Sequence, residues 1–165
     1  MKPWGVLHSS NRQNWRTPIE FFNALSTEFD FEIDAAADAE NALCKKYFTE
    51  SDSGLDADWS TSPDKWVFVN PPYGRAIPRW VNKAIAEKRK GARIVMLLFA
   101  ATDTRWFKKA WTEASEVRFY TGRLRFINPE NPGLNSPAPK GSCVFVFDAA
   151  RRGRVVTLCD IALNR

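Results

Sequence analysis

Four consecutive residues, Asn70-Pro71-Pro72-Tyr73, carry groups suited to one reaction, the alkylation of the exocyclic amine of a planar base or amide. Such a nitrogen is a weak nucleophile because its lone pair is delocalised, so a site must hold it and favour its pyramidal form. The Asn70 side-chain oxygen and the Pro71 carbonyl can each accept one of the two N–H bonds. The lone pair then points at an electrophilic methyl group, and no general base is needed.

The other groups of the tetrapeptide would shape a pocket. Two successive prolines fix φ and donate no N–H, so the carbonyl between them is held in place. Tyr73 offers a stacking face for a base rotated out of a duplex. The structural alternative is a Pro-Pro turn with a packing tyrosine, and the flanking sequence favours the functional interpretation.

The tetrapeptide follows Val67-Phe68-Val69, an apolar and β-branched run that is typical of a buried strand. In open α/β sheets, ligands bind at the carboxyl ends of strands, so Asn70 is predicted to face a crevice. Further strands are predicted at residues 93–99 and 116–121, each preceded by a helix. This order predicts a mostly parallel sheet with right-handed crossovers.

Two upstream segments contain further candidates. Thr17 is predicted to cap a helix with Pro18 at its first position, and Trp15 just before it could cover an adenine. Residues 29–34 alternate like a strand that ends at Asp34. An acid at this place commonly binds polar groups of a nucleotide, and its alternative role is to cap a short helix.

The chain between these two motifs is short. Only 35 residues separate Asp34 from Asn70, too few for the usual strand-helix-strand-helix-strand passage, so the sheet is predicted to be shortened here. The acidic loop 51–59 ends in Asp58, which could accept an amine hydrogen bond, and Trp59, which could stack on a purine. Taken alone, this loop is more typical of a solvated loop with a tryptophan in the core.

Basic side chains near the predicted crevice are candidates for phosphate contacts. Residues 128–141 are the most irregular stretch, with four prolines, and we predict that residues 121–141 form a loop facing DNA. The ordinary alternative for basic residues on a helix is a solvated face. The candidates are Arg75, Arg79, Arg105, Arg123, Arg125 and Lys140.

The two ends of the chain have simpler predictions. Residues 143–147 and 155–159 are predicted to pair as a C-terminal antiparallel hairpin joined by a basic turn. Residues 1–14 are predicted to form a flexible arm. The length of 165 residues and the absence of repeats predict a single domain, residues 1–165.

Composition bounds the class of protein. A net charge of +5 is compatible with nucleic-acid binding. Three cysteines without C-x-x-C spacing and one histidine argue against a metal site or a disulfide framework. No run suits a membrane span or a signal peptide, so we expect a cytoplasmic protein without a membrane partner, and we assume a monomer.

Together, these segments resemble the phage-type DNA N6-adenine methyltransferases, the Dam-like family of phages and prophages. The resemblance covers nearly the whole chain and implies a class I methyltransferase fold, Rossmann-like, that uses S-adenosylmethionine and acts on double-stranded DNA in a bacterial host cell. Its motifs are Trp15-x-Thr17-Pro18, Phe31-x-Ile33-Asp34-Ala35-Ala36, Gly54-Leu55 to Trp59, Asn70-Pro71-Pro72-Tyr73, Thr102-Asp103-Thr104-Arg105-Trp106-Phe107 and Gly122-Arg123-Leu124-Arg125-Phe126.

The resemblance also implies roles for residues. The tetrapeptide of residues 70–73 would hold a flipped adenine. Asp34 and the Ala35-Ala36 turn would line the methionine side of the cofactor pocket, and the segment Trp15, Thr17 and Pro18 would close its methionine end. Asp58 and Trp59 are candidates for contacts with the cofactor's adenine. One departure is that Ala35-Ala36-Ala37-Asp38 stands where methyltransferases generally have a glycine-rich loop.

Two other functions stay open at this point. The same tetrapeptide suits any planar amide, so the acceptor could be a protein glutamine or RNA rather than DNA. The second of these is a catalytically inactive module that binds nucleic acid.

Overall fold

The computed structural model of this chain describes residues 15–49, 52–128, 131–151 and 153–161. The arm predicted for residues 1–14 lies outside the described residues. The elements in chain order are α1 (Ile19–Ser26), β1 (Phe31–Asp34), β2 (Lys46–Tyr47), β3 (Trp66–Val69), α2 (Ile77–Arg89), β4 (Ile94–Phe99), α3 (Arg105–Glu113), β5 (Glu116–Thr121), β6 (Arg125–Asn128), β7 (Asn131–Pro137), β8 (Ser142–Phe147) and β9 (Val155–Asp160).

Seven strands form one mixed sheet in the order β2-β1-β3-β4-β8-β5-β9. The first four run parallel to one another, so their carboxyl ends meet at one edge. β8 runs antiparallel between β4 and β5, and β9 is parallel to β5. The prediction of an α/β protein with a mostly parallel sheet is therefore confirmed.

The helices cover both faces of this sheet. Phe22 of α1 packs on Phe68 of β3, and Phe107 of α3 packs on Phe145 of β8. Phe68 and Phe145 are in register with two consecutive residues of β4, which point to opposite faces. α1 therefore lies on one face and α3 on the other, beside α2. None of the helices in the described part of the chain is long and apolar enough to cross a membrane.

The predicted shortening of the sheet is confirmed. β1 and β3 are direct neighbours, and β2 on the other side of β1 has only two residues. Within residues 35–49 and 52–65 there is no helix between these strands. The loop instead folds back onto the end of β1, where Gly54 lies against the Ala35 carbonyl.

The predicted C-terminal hairpin is wrong. β8 and β9 are separated by β5, which pairs antiparallel with β8 and parallel with β9. Glu116 of β5 is in register with Val146 on one side and with Val155 on the other. The chain between Phe147 and Val155 is long enough to cross one strand, and the alternating pattern of two strands does not say which partner each one takes.

The prediction of an irregular loop at residues 128–141 is also wrong. β6 and β7 form a separate antiparallel ribbon, with Arg125 opposite Pro137. Its prolines are tolerated because each strand of a two-stranded ribbon has a free edge that needs no N–H donors. The ribbon is anchored to the start of the described chain, because the Ile127 N–H donates to the Arg16 carbonyl at 3.0 Å.

The start of α1 differs from its prediction as well. Thr17 does not cap the helix; Pro18 occupies the N-cap position, and no side chain completes a cap. The Pro18 carbonyl instead accepts from the N–H groups of Phe21 and Phe22, at 3.1 Å each. The Thr17 hydroxyl is therefore available for another partner.

Candidate active site

The predicted site residues that follow β1 and β3 lie at the carboxyl edge of the parallel strands. Asn70 comes directly after β3 and Asp34 is the last residue of β1. The segment of residues 15–17 reaches this edge from the face that α1 covers, and β6 pairs with it there. The edge therefore combines four separate parts of the chain.

The side-chain amide of Asn70 is held in one orientation. Its nitrogen Nδ2 donates to the main-chain oxygen of Trp15 at 2.6 Å and to the Thr17 hydroxyl oxygen Oγ1 at 2.9 Å. A carbonyl oxygen can only accept, so the contact with Trp15 requires the nitrogen at this position. The other amide atom, Oδ1, is buried and accepts no hydrogen bond from the residues that the structure describes. It is an oriented acceptor that waits for a donor.

Unpaired buried polar atoms concentrate at this edge. Among the described residues, four such side-chain atoms occur: Arg16 Nε, Asn70 Oδ1, Tyr73 Oη and Ser142 Oγ. Ser142 begins β8 opposite Phe99, the last residue of β4, so it too lies at the carboxyl edge. Leaving such a group unpaired costs about 1–3 kcal/mol, and folded proteins rarely do so. The clustering indicates a place that a ligand completes.

Tyr73 is enclosed by aromatic rings. Its ring stacks on Phe99 with centroids 3.9 Å apart and meets the edge of Phe126 at 6.2 Å, and only 5% of the residue is exposed. Burial raises the pKa of its phenol well above the usual value, so the hydroxyl stays protonated and cannot act as a base. The predicted stacking role requires one face of this ring to become accessible.

Asp34 is a buried carboxylate. It is 3% exposed, and its oxygens accept from the N–H of Leu43 at 3.1 Å and from the N–H of Ala36 at 3.4 Å. Burial raises its pKa from 3.8 to about 6, and the negative charge of Asp38 adds to this, while the two hydrogen bonds oppose it. A buried carboxyl group with a pKa shifted in this way is typical of functional sites.

The turn after β1 is covered closely by the following loop. Ala35 is fully buried, and a Cβ at Gly54 would overlap the Ala35 carbonyl oxygen and lie 2.9 Å from Trp80. The Gly54 carbonyl accepts from Nε1 of Trp59 at 2.8 Å. Only glycine permits this approach. In the sequence, Gly54 stands out only within the motif Gly54-Leu55 to Trp59, because a glycine in an acidic loop has no local pattern that indicates a close backbone contact.

The structure places Asp58 at the surface and Trp59 in the core. Trp59 is 0% exposed and stacks on Trp80, with centroids 6.2 Å apart, so it fills the core. Asp58 is exposed; hydrogen bonds from Ser60, with a smaller effect of Lys90, lower its pKa. Lys90 follows the end of α2, a 13-residue helix that starts beside Asn70 and runs to the opposite edge of the sheet. The core-tryptophan alternative describes this loop.

The six candidate basic residues are all exposed. Arg75, Arg79 and Arg105 lie at or before the starts of α2 and α3, beside the carboxyl edge, and the remaining three flank or belong to the ribbon. In the described part of the chain none of the six forms a salt bridge, whereas Arg93 and Arg118 each pair with a carboxylate. Arg123 donates to a main-chain oxygen of the segment after β7, at 2.7 Å.

The segment Trp15-x-Thr17-Pro18 also lies at the carboxyl edge, where it contacts Asn70. Pro18 and Thr17 are buried, and Trp15 packs its ring edge-on against Phe99 and Phe126, with centroids 6.4 and 5.7 Å apart. No group of three or more metal-ligating side chains occurs among the residues that the structure describes.

A mostly parallel sheet with one reversed strand near its end, an acid after the first strand and Asn-Pro-Pro-Tyr after the third is consistent with a Rossmann-like methyltransferase. The profile of the DNA N-6-adenine-methyltransferase (Dam) family matches residues 6–162. The chain therefore belongs to this family of enzymes, and the resemblance inferred from its motifs is confirmed.

Two phage proteins illustrate the relationship. The chain is 31% identical over 160 residues to the DNA N-6-adenine-methyltransferase of Escherichia phage T1, covering 87% of this chain and 66% of that protein. It is also 31% identical over 143 residues to the DNA N-6-adenine-methyltransferase of Haemophilus phage HP1 (strain HP1c1), covering 84% of this chain and 80% of that protein. The chain thus spans slightly less than two thirds of the T1 protein.

Proposed function

We propose that this chain transfers a methyl group from S-adenosylmethionine to the exocyclic N6 of adenine in DNA, with the target base flipped into the pocket of Asn70-Pro71-Pro72-Tyr73. The observation that carries the proposal is the buried Asn70 Oδ1, which is fixed in orientation and has no donor. An amine N–H of a substrate would supply that donor. The family membership supports adenine as the base and DNA as the substrate.

In the proposed reaction, Asn70 Oδ1 and the Pro71 carbonyl accept the two N6–H bonds and leave the nitrogen lone pair free. When bound, S-adenosylmethionine supplies an electrophilic methyl on a sulfonium. With this group bound, the N6–methyl bond would form as the methyl–sulfur bond breaks, which would leave a neutral thioether, and N6 would lose one proton to solvent. Tyr73 stays protonated, so the chain orients the amine rather than deprotonating it beforehand.

The residues at the end of β1 fit a cofactor of this kind. Asp34 offers a buried carboxylate whose ionisation a cationic or hydroxyl-bearing ligand would favour. The small side chains of Ala35 and Ala36 allow a close approach, and Trp15 and Pro18 stand at the other side of the edge. We propose that these residues hold the cofactor's amino-acid end. The unpaired Nε of Arg16 in the same segment supports a ligand there.

We propose that the DNA lies against the six exposed basic residues and the ribbon of β6 and β7. Phosphate contacts position a duplex without reading its sequence. Arg75, Arg79 and Arg105 lie at or before the starts of α2 and α3, and Arg123, Arg125 and Lys140 flank or belong to the ribbon. A base flipped from a duplex at this surface would enter the pocket beside Asn70.

The decisive experiment is to incubate the protein with tritiated S-adenosylmethionine and unmethylated duplex DNA, and then to digest the DNA and identify the labelled nucleoside. We expect N6-methyladenine. Asn70→Ala should abolish transfer while the binding of DNA and cofactor survives, and Asn23→Ala, an exposed asparagine on α1, is the matched control. Label in a different nucleoside, in RNA or in protein, or full activity of Asn70→Ala, would overturn the proposal.

A further inference from the structure

We infer that Thr17 is a positioning residue which, together with the main-chain carbonyl of Trp15, keeps the Asn70 amide in the orientation that presents oxygen rather than nitrogen to the substrate amine. The inference rests on the proposed function, because it assigns a role within that reaction. It goes beyond the role suggested by the sequence, in which Thr17 caps a helix or borders the cofactor.

Both donors of the Asn70 amide are used by this one segment. Nδ2 lies 2.6 Å from the Trp15 oxygen and 2.9 Å from Thr17 Oγ1, 53 residues away along the chain. Thr17 is 7% exposed, and its hydroxyl serves no helix cap. The only hydrogen bond recorded for this hydroxyl in the described part of the chain is the one to Asn70.

The orientation matters because an amide is chemically asymmetric. If the Asn70 side chain turned by 180°, Nδ2 would face the substrate N–H groups, and two donors would meet without an acceptor. In the same turn Oδ1 would face the Trp15 carbonyl oxygen, and two acceptors would meet. The Trp15 carbonyl enforces the orientation, and the Thr17 hydroxyl holds the second N–H, so the amide plane is fixed as well.

The segment that does this is itself tied to two other parts of the site. The Arg16 carbonyl accepts from the Ile127 N–H of the ribbon at 3.0 Å, and the Arg16 guanidinium donates to Glu40, in the turn after β1, at 3.1 Å. Asn70 is therefore oriented only when the segment of residues 15–17 is docked. This arrangement couples the amine-binding oxygen to the ribbon on one side and to the turn after β1 on the other.

The test compares Thr17→Val, which removes the hydroxyl at nearly constant shape, with Thr17→Ser, which retains it. At saturating DNA and cofactor, we expect Thr17→Val to lower kcat about tenfold. The net free energy of one such hydrogen bond corresponds to a change in rate of roughly three- to tenfold. Thr17→Ser should restore kcat to within about twofold. Thr27→Val, the same substitution at the exposed C-cap of α1, should leave kcat unchanged.

The cofactor affinity separates positioning from direct binding. If Thr17 only orients Asn70, calorimetric titration with S-adenosylmethionine should give the same Kd for Thr17→Val and the wild type, within about twofold. A large loss of affinity with unchanged kcat at saturation would overturn the inference, as would a Thr17→Ser variant no better than Thr17→Val. A wild type that methylates no DNA would refute the proposed function instead.

A measurement without substrate tests the contact itself. In urea denaturation, Thr17→Val and Asn70→Ala should each lower the midpoint, and the double variant should lose less than the sum of the two shifts, because both remove one interaction. Strictly additive shifts would overturn the contact. This result stands even when Thr17→Val is too unstable for kinetics at the assay temperature.

Discussion

Asp34→Asn should make the free protein more stable at high pH while it weakens cofactor binding. The wild-type carboxyl is 3% exposed, with N–H donors from Leu43 at 3.1 Å and from Ala36 at 3.4 Å. These two bonds do not offset the burial, which raises its pKa from 3.8 to about 6. The amide keeps nearly the same shape and carries no charge at any pH.

The sign and the size follow from proton linkage. Because the folded protein binds the Asp34 proton more tightly than the unfolded chain does, its free energy of unfolding falls as the pH rises from about 4 to about 6. Each unit of pKa corresponds to about 1.4 kcal/mol, so the ionised carboxylate destabilises the fold by about 3 kcal/mol above pH 7. The amide offers one acceptor atom fewer, which costs about 1 kcal/mol. Asp34→Asn should thus gain about 2 kcal/mol at pH 8 and lose about 0.5 kcal/mol at pH 4, where the unfolded carboxyl is already about half ionised.

Urea denaturation of both proteins without cofactor, at pH 4 and at pH 8, measures the difference directly. Groups distant from Asp34 titrate alike in both proteins, so their contribution cancels. A stability difference that is the same at both pH values, or a wild type that is the more stable protein at pH 8, would refute the reasoning. Cofactor titration completes the test: Asp34→Asn should bind S-adenosylmethionine at least tenfold more weakly despite its greater stability, as expected of a residue retained for function.

Gly54→Ala puts a Cβ onto a backbone carbonyl, so we expect weaker cofactor binding by calorimetry, whereas Gly141→Ala meets nothing within 4 Å and should match the wild type. Arg125→Gln should weaken DNA binding and reduce the salt slope of log K by about one; Arg89→Gln, paired with an acid at the far end of α2, is its control, and equal effects would refute the DNA surface. Trp59→Phe should lower the free energy of unfolding by about 1–3 kcal/mol in urea denaturation and leave the cofactor Kd unchanged. Unchanged stability with a weaker cofactor Kd would instead place this ring against the cofactor.

Local patterns in the sequence predicted the position of the candidate site. The run ending at Val69 is apolar and β-branched and stops at two prolines, which locates a strand end without any tertiary information. Asp34 was found in the same way, from an alternating strand that ends in an acid. Both residues lie at the carboxyl edge because parallel strands bring their ends together.

The partners of these residues could not be predicted, because they depend on contacts between distant segments. Thr17, followed by proline and three residues later by glutamate, has the local pattern of a helix cap, yet its hydroxyl binds Asn70. Trp59 has the pattern of a stacking residue or of a core residue, and only the packing on Trp80 decides between them. A side chain with two local interpretations needs its tertiary neighbours to select one.

The order of the strands in the sheet could not be predicted either, because it also depends on contacts between distant segments. The side-chain patterns of β8 and β9 are compatible with many neighbouring strands. β5 pairs with β8 at one edge and with β9 at the other, and its own pattern favours neither arrangement. Proline in a sequence argues against a central strand, because such a strand donates N–H groups on both sides. Proline is tolerated in β7, which pairs with β6 on one side. A pattern that describes one strand does not contain the identity of the next.

The arrangement of polar atoms argues against the structural interpretation of the tetrapeptide. A turn retained only for packing would have its buried polar groups paired, as Thr104 is where its hydroxyl accepts from Phe107 at the start of α3. Here Asn70 Oδ1 and Tyr73 Oη are buried without partners, and the carboxyl of Asp34 is buried at a cost to its ionisation. Each of these groups destabilises the free protein, and each is of a kind that the proposed ligands would use: an acceptor for an amine N–H, an aromatic ring with a polar end, and a carboxylate. Packing alone gives no reason to gather these three costs at one edge of one sheet, whereas the binding and methyl transfer that we propose at that edge would account for all of them.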